Sequence, residues 1–500
     1  MNRPEIVRIG ILVAITGLVY ANAVGNGFVW DDEYVLTRNV AVQDIGSWES
    51  FFTDASTGSI APEQKFYRPL RTLVYAVMHR IFGLQAWPHH LLCVVLHMLN
   101  VVLVFNLFRR FSGRADAATA VAALFGVHPL MTEAVSSITS LADVMFALFY
   151  LLAFFMYLRV QEGTRKIFPI CGLVICYVLS LLSKESALSL PLLLVASDMT
   201  RGTGLRSRES RQVCLGCVAL LLGLSLSFVA LRSSLVGGIG QDASYAGVTF
   251  LHTILMQATV VARYLGLILM PLGQSIRHDV PVPESMFDPV VVISVLVIVG
   301  LLTIMAISIR RRPYVAFGIA WFFITLLPVM NIIPIKGDMM GERFCYLPIL
   351  GIFYLLASLV PKNWAEAGSR RAICGVFVAL CLVLGSATMK RNRLWLDNIT
   401  IFEDAAKKTP RSNAVRVNLI REYSRLGREA DAQRHIVAGV ENTRYYAQHH
   451  TDFGNRAYER GNNKQALIWY NRAIPLEQAL GITRDQSHAA AMIDRIGDTD

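Results

Sequence analysis

The chain has 500 residues, of which 54% are hydrophobic and only 17% are charged. Roughly a quarter of the residues of a soluble protein are charged, so this composition excludes an ordinary soluble protein and indicates a polytopic membrane protein. Much of the net charge of +11 lies in short basic clusters between apolar segments, which is the pattern of cytoplasmic loops and not of a nucleic-acid-binding face. The clusters are Arg109-Arg110, Arg165-Lys166, Arg206 to Arg211, Arg310-Arg311-Arg312 and Arg370-Arg371.

The apolar segments predict a series of membrane-spanning helices, each of which needs about 20 mostly apolar residues. When the basic clusters are assigned to the cytoplasm, about eleven spans result, provided that segment 249–271 is re-entrant or lies along the outer interface. The N-terminus is then inside, whereas the first loop (26–88), the region 232–286 and the C-terminus are outside. The candidate segments are 9–25, 89–108, 117–131, 138–158, 167–182, 186–199, 212–231, 249–271, 287–309, 314–333, 346–361 and 372–389.

The first segment also has features of a cleaved signal peptide, because Arg3 and Arg8 precede it and the small residues 21–23 follow it. A retained first helix serves equally well and is favoured by the many spans that follow.

The first external loop begins with an acidic stretch, residues 28–34 (FVWDDEY), directly behind the first span. Three adjacent carboxylates, Asp31, Asp32 and Glu33, flanked by aromatic residues, suggest a compact acidic site at the membrane surface. Further along the loop, residues 68–83 have apolar positions at helical spacing, and they predict an amphipathic helix that lies on the membrane.

The composition becomes that of a soluble domain after Lys390. Gly427 and Gly461 are 34 residues apart, and each is followed by an alanine-containing helical pattern. A helix–turn–helix period of 34 residues is typical of tetratricopeptide repeats, in which each unit needs neighbours to bury its apolar face. The sequence therefore predicts a membrane domain over 1–390 and a helical-repeat domain over 391–500, with repeats at 412–443 and 446–479.

Many of the ionisable residues assigned to the outside adjoin apolar helices, where a charge is costly without a partner or a role. A chamber that brings an acid near several bases would suit transfer of a group from a lipid-linked donor, because the acid removes a proton and the bases stabilise a departing phosphate. The residues are Asp31, Asp32, Glu33, Arg68, Arg71, His128, Glu133, Asp143, Lys184, Glu185, Arg277, His278, Asp279, Lys336, Asp338, Glu342 and Arg343.

Several of these residues also have a purely structural interpretation. Arg68 and Arg71 would equally well extend to lipid head groups, Lys184 and Glu185 would form a plain ion pair, and His128 would cap a bent helix. Arg343 is the strongest phosphate-binding candidate, since it opens a helix whose backbone N–H groups also attract anions. No metal site is predicted, because the cysteines lie mainly inside apolar runs.

At these residues the sequence resembles the transmembrane-and-tetratricopeptide O-mannosyltransferases, a family of GT-C type glycosyltransferases. The matching pieces keep the family's order across nearly the whole chain, and it is the ordered set that is specific. They are 28–32 (FVWDD), 66–70 (FYRPL), 128–135 (HPLMTEAV), 184–185 (KE), 271–279, 342–348 (ERFCYLP) and the repeats after Lys390.

The resemblance implies an all-α GT-C type membrane protein that acts as an inverting transferase. Such enzymes pass a sugar from a polyprenyl- or dolichyl-phosphate donor to an acceptor on the non-cytoplasmic side, here mannose or a similar sugar to Ser or Thr of a protein. The resemblance makes Asp31 or Asp32 the base, with Asp31 favoured and Asp32 positioning either the acceptor or Asp31. It assigns the donor phosphate to Arg343, helped by Lys184 or Arg68. Further candidates for the site are Glu33, His128, Glu133, Asp279 and Glu342.

The resemblance also implies a set of partners: the bilayer, the lipid-linked donor and an acceptor protein bound by the repeats. No cofactor is expected beyond the donor. Residues 136–143 (SSITSLAD) lack the Arg often found before the acid, and the repeat array is short, so sugar and acceptor stay open. A bacterial inner membrane is favoured over the endoplasmic reticulum. The alternatives are a flippase for lipid-linked sugar, or a scaffold that recruits partners through its repeats.

Overall fold

The computed structural model describes residues 3–61, 66–162, 166–201, 208–238, 250–283, 285–332, 339–360 and 370–497. Throughout these ranges the chain forms helices joined by turns, without a strand, and the prediction of an all-α protein is confirmed. The α-helices are α1 Arg3–Tyr20, α2 Val40–Gln43, α3 Ser50–Thr53, α4 Pro69–Phe82, α5 Ala86–Ser112, α6 Ala115–Val127, α7 Thr132–Ser136, α8 Leu141–Glu162, α9 Ile167–Ser183, α10 Leu190–Arg201, α11 Arg208–Val236, α12 Phe250–Leu269, α13 Pro289–Arg311, α14 Pro313–Leu326, α15 Ile349–Leu359, α16 Arg370–Asn392, α17 Asn398–Lys408, α18 Asn413–Arg425, α19 Glu429–Glu459, α20 Asn463–Ala479 and α21 His488–Gly497.

Every apolar segment singled out in the sequence corresponds to one of these helices or to a broken pair of them. In the described ranges seven helices are long and apolar enough to cross a membrane, or eight if one bent pair counts as a span. Three shorter apolar helices accompany them. The protein is an integral multi-pass membrane protein. The count of about eleven spans stays a prediction. The re-entrant or interfacial placement of α12 also stays a prediction, and this helix itself has the length of a span.

The bent pair lies where the sequence predicts an interruption, at His128 and Pro129. The two parts, Ala115–Val127 and Pro129–Ser136, meet at an angle of 55°. Proline has no backbone N–H and restricts the residue before it to an extended conformation, so the helix ends at Val127. The His128 ring accepts a hydrogen bond from the N–H of Leu130 at 3.2 Å and so caps the next turn.

Helix α8 lies at the centre of the membrane domain, with 72% of its most apolar stretch buried, whereas only 11% of α13 is buried. Helices α14 and α15 pack against each other through small residues. A side-chain carbon on Gly318 would lie 2.6 Å from the carbonyl of Gly351, so the two backbones are in direct contact. Small residues permit this close approach, which supplies packing energy where lipid provides no hydrophobic driving force.

The helix predicted at 68–83 is α4, and its buried face is the polar one. Arg71, Thr72 and Tyr75 are buried, whereas Val77 and Ile81 are exposed. This orientation is the one that an amphipathic helix lying on a membrane would adopt, and it turns Arg71 toward the interior of the protein.

The C-terminal helices α17 to α21 form successive helix–turn–helix units. Gly427 and Gly461 end their helices with φ angles of +68° and +72°, the left-handed conformation that favours glycine at such turns. The expected break between residues 443 and 446 is absent, and α19 runs unbroken from Glu429 to Glu459. No Gly or Pro interrupts the sequence between 440 and 453, so nothing there ends the helix.

We expect Gly351→Ala to separate α14 from α15 and to lower the stability of the membrane domain by about 1–3 kcal/mol, because the added methyl would lie 2.7 Å from the backbone N of Phe322. Thermal unfolding of the purified protein in detergent measures the change. The control is Gly300→Ala in α13, where an added methyl meets no atom within 4 Å. Equal unfolding temperatures for the two variants would contradict the prediction.

Candidate active site

A polar cavity of about 330 Å³ lies between the first external loop and the ends of the surrounding helices. Its charged side chains come from the loop, from α4, from the start of α8, from the turn after α9, from the segment after α12 and from the turn before α15. The ionisable lining residues include Asp31, Arg68, Arg71, Asp143, Lys184, Glu185, Arg277 and Arg343.

Asp32 does not line this cavity, because its carboxylate is fully buried in the wall beside it. One oxygen accepts hydrogen bonds from the N–H and hydroxyl of Thr139 at 2.8 and 2.6 Å. The other accepts from the N–H of Val29 at 2.9 Å. Burial raises the pKa of Asp32 to about 6, and the three donated bonds work against that rise. Asp32 thus fastens the acidic stretch to the turn before α8.

Asp31, in contrast, lines the cavity, and the residue before it has a strained backbone. Trp30 has a φ of +55°, which is rare for a bulky side chain and costs on the order of 1–3 kcal/mol. Its N–H donates to the side chain of Asn398 in α17 at 2.7 Å. Its ring contacts Phe402 of the same helix. The C-terminal helices therefore hold the turn that presents Asp31.

Two of the cations in the cavity form ion pairs with neighbouring carboxylates. Arg68 donates to both oxygens of Glu185, at 3.3 and 2.9 Å. Burial alone would lower the pKa of Arg68, but Glu185 raises it above the ordinary value. The ammonium of Lys184 lies 2.5 Å from Asp143. Burial lowers the pKa of Lys184 and outweighs the opposing effect of Asp143.

Arg343 is oriented by Glu133, which accepts hydrogen bonds from both its backbone N–H, at 3.1 Å, and its guanidinium. The guanidinium lies 5.8 Å from the centre of the Trp30 ring, so Arg343 is held on the side of the cavity where the acidic stretch lies. Glu133 is buried and does not line the cavity, and it acts there through Arg343.

Arg71 lines the cavity, whereas the sequence analysis left it open between a place in the charged chamber and contact with lipid head groups. Its side chain is fully buried, and one N–H donates to the carbonyl of Gly58 at 2.6 Å. Its Nε and Nη1 have no hydrogen-bond partner within the described residues. Burial lowers the pKa of Arg71. The sequence signal that could have identified Arg71 is an arginine on the same helix face as the small and aromatic residues Thr72 and Tyr75.

Glu342 is buried in a separate polar cluster next to the cavity. It accepts hydrogen bonds from Arg391 at 2.8 Å, from the backbone of Ser275 at 2.7 Å and from Gln274 at 3.1 Å, and it lies 3.0 Å from His278. Burial would raise the pKa of Glu342, but Arg391 and His278 hold it below its ordinary value. This cluster joins the end of α16 to the turn that carries Arg343, and sequence reasoning missed Arg391.

The remaining candidates lie outside the cavity. Glu33 pairs with Arg38 at 2.8 Å and lies 3.5 Å from Arg421 of α18. His128 is buried, with one ring nitrogen 3.1 Å from the carbonyl of Ile268. The side chain of Asp279 is exposed. Lys336 and Asp338 lie outside the described residues. Over the described ranges, no group of three or more His, Cys, Asp or Glu side chains is arranged to hold a metal ion.

A family model matches part of the chain, and several curated proteins match most of it. Residues 68–228 match the family model described as dolichyl-phosphate-mannose-protein mannosyltransferase. The chain is 22% identical over 451 residues to protein O-mannosyl-transferase F38B6.6 of Caenorhabditis elegans, covering 88% of this chain and 63% of that protein. It is 23% identical to human protein O-mannosyl-transferase TMTC1, covering 89% of this chain and 56% of that protein.

These comparisons confirm the resemblance. The chain is similar to the O-mannosyltransferases along most of its own length, but it spans only 63%, 47% and 47% of the first three curated relatives.

Two solved structures match this chain at low similarity. One is ArnT of Cupriavidus metallidurans bound to undecaprenyl phosphate, with 16% identity and a TM-score of 0.40, covering 88% of this chain and 80% of that one. The other is the oligosaccharyltransferase AglB of Archaeoglobus fulgidus, with 14% identity and a TM-score of 0.38, covering 81% of this chain and 56% of that one.

We expect Asn398→Ala to loosen the acidic turn, because it removes the acceptor of the Trp30 N–H and costs about 1 kcal/mol. Amide hydrogen exchange of the peptide that contains residues 26–34 should become faster. The matched control is Asn471→Ala in α20, since Asn471 donates only to the carbonyl of Leu467 in its own helix. Unchanged exchange in the Asn398 variant would show that α17 does not hold the turn.

Proposed function

We propose that this protein is an inverting glycosyltransferase of the GT-C type. It moves mannose or a similar sugar from a polyprenyl- or dolichyl-phosphate donor to an acceptor hydroxyl, with Ser or Thr of a protein as the favoured acceptor. The observation that carries the proposal is the single cavity in which the carboxylate Asp31 lies together with the cations Arg68, Arg71, Lys184 and Arg343.

The proposed reaction begins with Asp31. Its carboxylate takes the proton of the acceptor hydroxyl while that oxygen attacks the anomeric carbon of the sugar. The bond between this carbon and the phosphate oxygen breaks, and the electron pair leaves with the lipid phosphate. Attack opposite to the leaving group inverts the anomeric centre. The products are the glycoside, the lipid phosphate and a protonated Asp31. A positioned general base contributes typically 10²–10⁴-fold to such a step.

The cations would stabilise the charge that develops on the departing phosphate. Arg343 is oriented by Glu133 and is the favoured ligand of the phosphate. Arg71 brings two buried nitrogens, Nε and Nη1, whose N–H groups lack partners in the described part of the chain. Donors that are already oriented before the reaction stabilise a transition state without the cost of reorganising water. Arg68 and Lys184 keep their carboxylate partners and supply charge around the donor.

Asp32 has a positioning role in this proposal. Its three hydrogen bonds come from Val29 and Thr139, which leaves the carboxylate without a route to a substrate in the cavity. By fixing the turn, Asp32 sets the direction in which Asp31 points.

The donor, the acceptor and the side of the membrane are parts of the proposal that the relatives support. The matching family model is named for dolichyl-phosphate mannose, and the relatives are named protein O-mannosyl-transferases. We place the cavity and the repeat domain on the non-cytoplasmic side, as the basic clusters predict. In a bacterial inner membrane the donor lipid would be a polyprenyl phosphate, and in the endoplasmic reticulum a dolichyl phosphate. The repeats would bind the acceptor protein.

Asp31→Asn should reduce sugar transfer by about 10²-fold or more while the protein stays folded, because the amide cannot take a proton. The assay incubates the purified full chain with a panel of polyprenyl-phosphate sugars and Ser/Thr-rich peptides, and mass spectrometry detects the glycosylated product. The control is Asp44→Asn in the same loop, since Asp44 is exposed and only caps a turn. Full transfer by Asp31→Asn would reject Asp31 as the base.

The same preparation separates the transferase from a flippase. Reconstituted in vesicles, a flippase would move the lipid-linked sugar between leaflets without consuming it. Lipid reorientation without product in wild-type protein would overturn the proposed function.

Arg71→Gln should raise the KM for the donor roughly 10-fold or more and leave the KM for the acceptor unchanged, since it removes hydrogen bonds to a charged phosphate. Initial rates at varied donor and acceptor concentrations measure both constants. Arg80→Gln, on the exposed side of α4, is the matched control.

Arg71→Lys tests whether the role is structural. Lysine keeps the charge but loses the planar set of donors, so partial recovery of the donor KM indicates phosphate binding. A normal donor KM in Arg71→Gln, or an equal rise in both KM values, would contradict the assignment.

A further inference from the structure

A second charged cavity lies far from the first, at the opposite end of α5. The N-terminal part of α5 is next to the acidic stretch, because His90 lies 3.1 Å from the carbonyl of Gly27. Arg110 follows on the same helix, and a rise of 1.5 Å per residue puts it ~30 Å away along the helix axis. This is about the thickness of the hydrocarbon core, so the two cavities lie near opposite faces of the bilayer.

The second cavity consists of two adjoining spaces of about 480 Å³ each. Both are lined by Arg110, Phe155 and Arg159. The two guanidiniums lie 5.4 and 5.5 Å from the centre of the same ring, that of Phe155. Two like charges are therefore held beside one aromatic side chain, an arrangement that an anion between them would stabilise.

The neighbouring carboxylates do not balance the charge. Glu162 pairs with Arg110 and lies 3.8 Å from Arg201, and Arg109 pairs with Glu5 at 2.6 Å. Arg159 has no ion pair within the described residues. The buried Nη1 of Arg201 likewise has no hydrogen-bond partner there. Asp198 also interacts electrostatically with Arg201, so four guanidiniums share three carboxylates, and the site has spare donors for an anion.

One wall of the cavity is apolar and continues to the outside of the helix bundle. It is formed by Phe155, Met156 and Phe168. The side chain of Phe168 is 79% exposed, and that of Ile167 beside it is 78% exposed, on the first turn of a membrane helix. A ligand that fits this cavity has an anionic group next to a hydrocarbon chain.

We propose that this cavity binds an anionic phospholipid of the cytoplasmic leaflet. The phosphate of the head group lies between Arg110 and Arg159, and an acyl chain packs along Phe155, Met156 and Phe168. Basic pockets between membrane helices on the cytoplasmic side suit anionic head groups, and each nearby Arg or Lys adds to the attraction. This site is separate from the proposed sugar transfer and does not depend on it.

The test uses native mass spectrometry of the purified full chain in detergent. Phosphatidylglycerol and phosphatidylcholine with identical acyl chains are titrated in parallel. We expect wild-type protein to retain phosphatidylglycerol in clear preference, and Arg159→Gln to reduce that preference about five-fold. The control is Arg311→Gln, a basic residue at the end of α13 that does not line the cavity and is also predicted to face the cytoplasm. It should behave as wild type.

Several outcomes would overturn the proposal. They are equal retention of the two lipids, equal loss in the Arg159 and Arg311 variants, or displacement of phosphatidylglycerol by inorganic phosphate, which would indicate an ion site without a lipid. Undecaprenyl phosphate is expected to bind at the first cavity, so only a loss of its binding in Arg159→Gln, with phosphatidylglycerol retained as in wild type, would assign the second cavity to a carrier lipid instead. Arg110→Gln gives a second measurement: it should also lower the preference, although it leaves Glu162 without its nearer partner.

Discussion

The hydrogen bonds of Asp32 are the constraint on which the candidate active site depends. A carboxylate without exposure to solvent is costly unless its oxygens accept hydrogen bonds, and those of Asp32 accept three. Because the donors belong to Val29 and Thr139, the bonds join the first external loop to the turn that begins α8. Helix α8 is the most deeply buried candidate span in the described ranges, so the loop is attached to the central helix of the membrane domain.

The C-terminal helices complete this arrangement from the other side. Asn398 and Phe402 of α17 hold Trp30 in its left-handed conformation, and Arg421 of α18 donates to the hydroxyl of Tyr34. Trp30 in turn lies beside Arg343. The repeat region is therefore part of the structure around the cavity as well as a candidate surface for an acceptor. Removal of the repeat region is expected to disturb the acidic turn. It would therefore lower sugar transfer even to a small acceptor that does not bind the repeats.

The sequence predicted the fold better than the details of the site. Long apolar segments identify membrane helices because the bilayer demands them, and the break at Pro129 follows from a missing N–H. The sequence could not decide between Asp31 and Asp32. The directions of two neighbouring side chains depend on the backbone angles, and residue spacing does not give these angles. Besides its neighbour Arg38, Glu33 lies close to Arg421, nearly four hundred residues later, and only the tertiary structure brings these two together. Arg71 was weighed as a residue that extends to lipid because a guanidinium in a helix at the membrane surface commonly does so.

The acidic stretch contains two identical neighbours that meet different demands. A change at Asp32 breaks contacts that hold the loop to the protein, whereas a change at Asp31 would leave those contacts intact and alter a side chain that faces the cavity. Natural selection for folding would preserve Asp32, and selection for chemistry would preserve Asp31. Invariance of the pair across related proteins would then have two separate origins, and tolerance of each position to Asn and Glu would distinguish them.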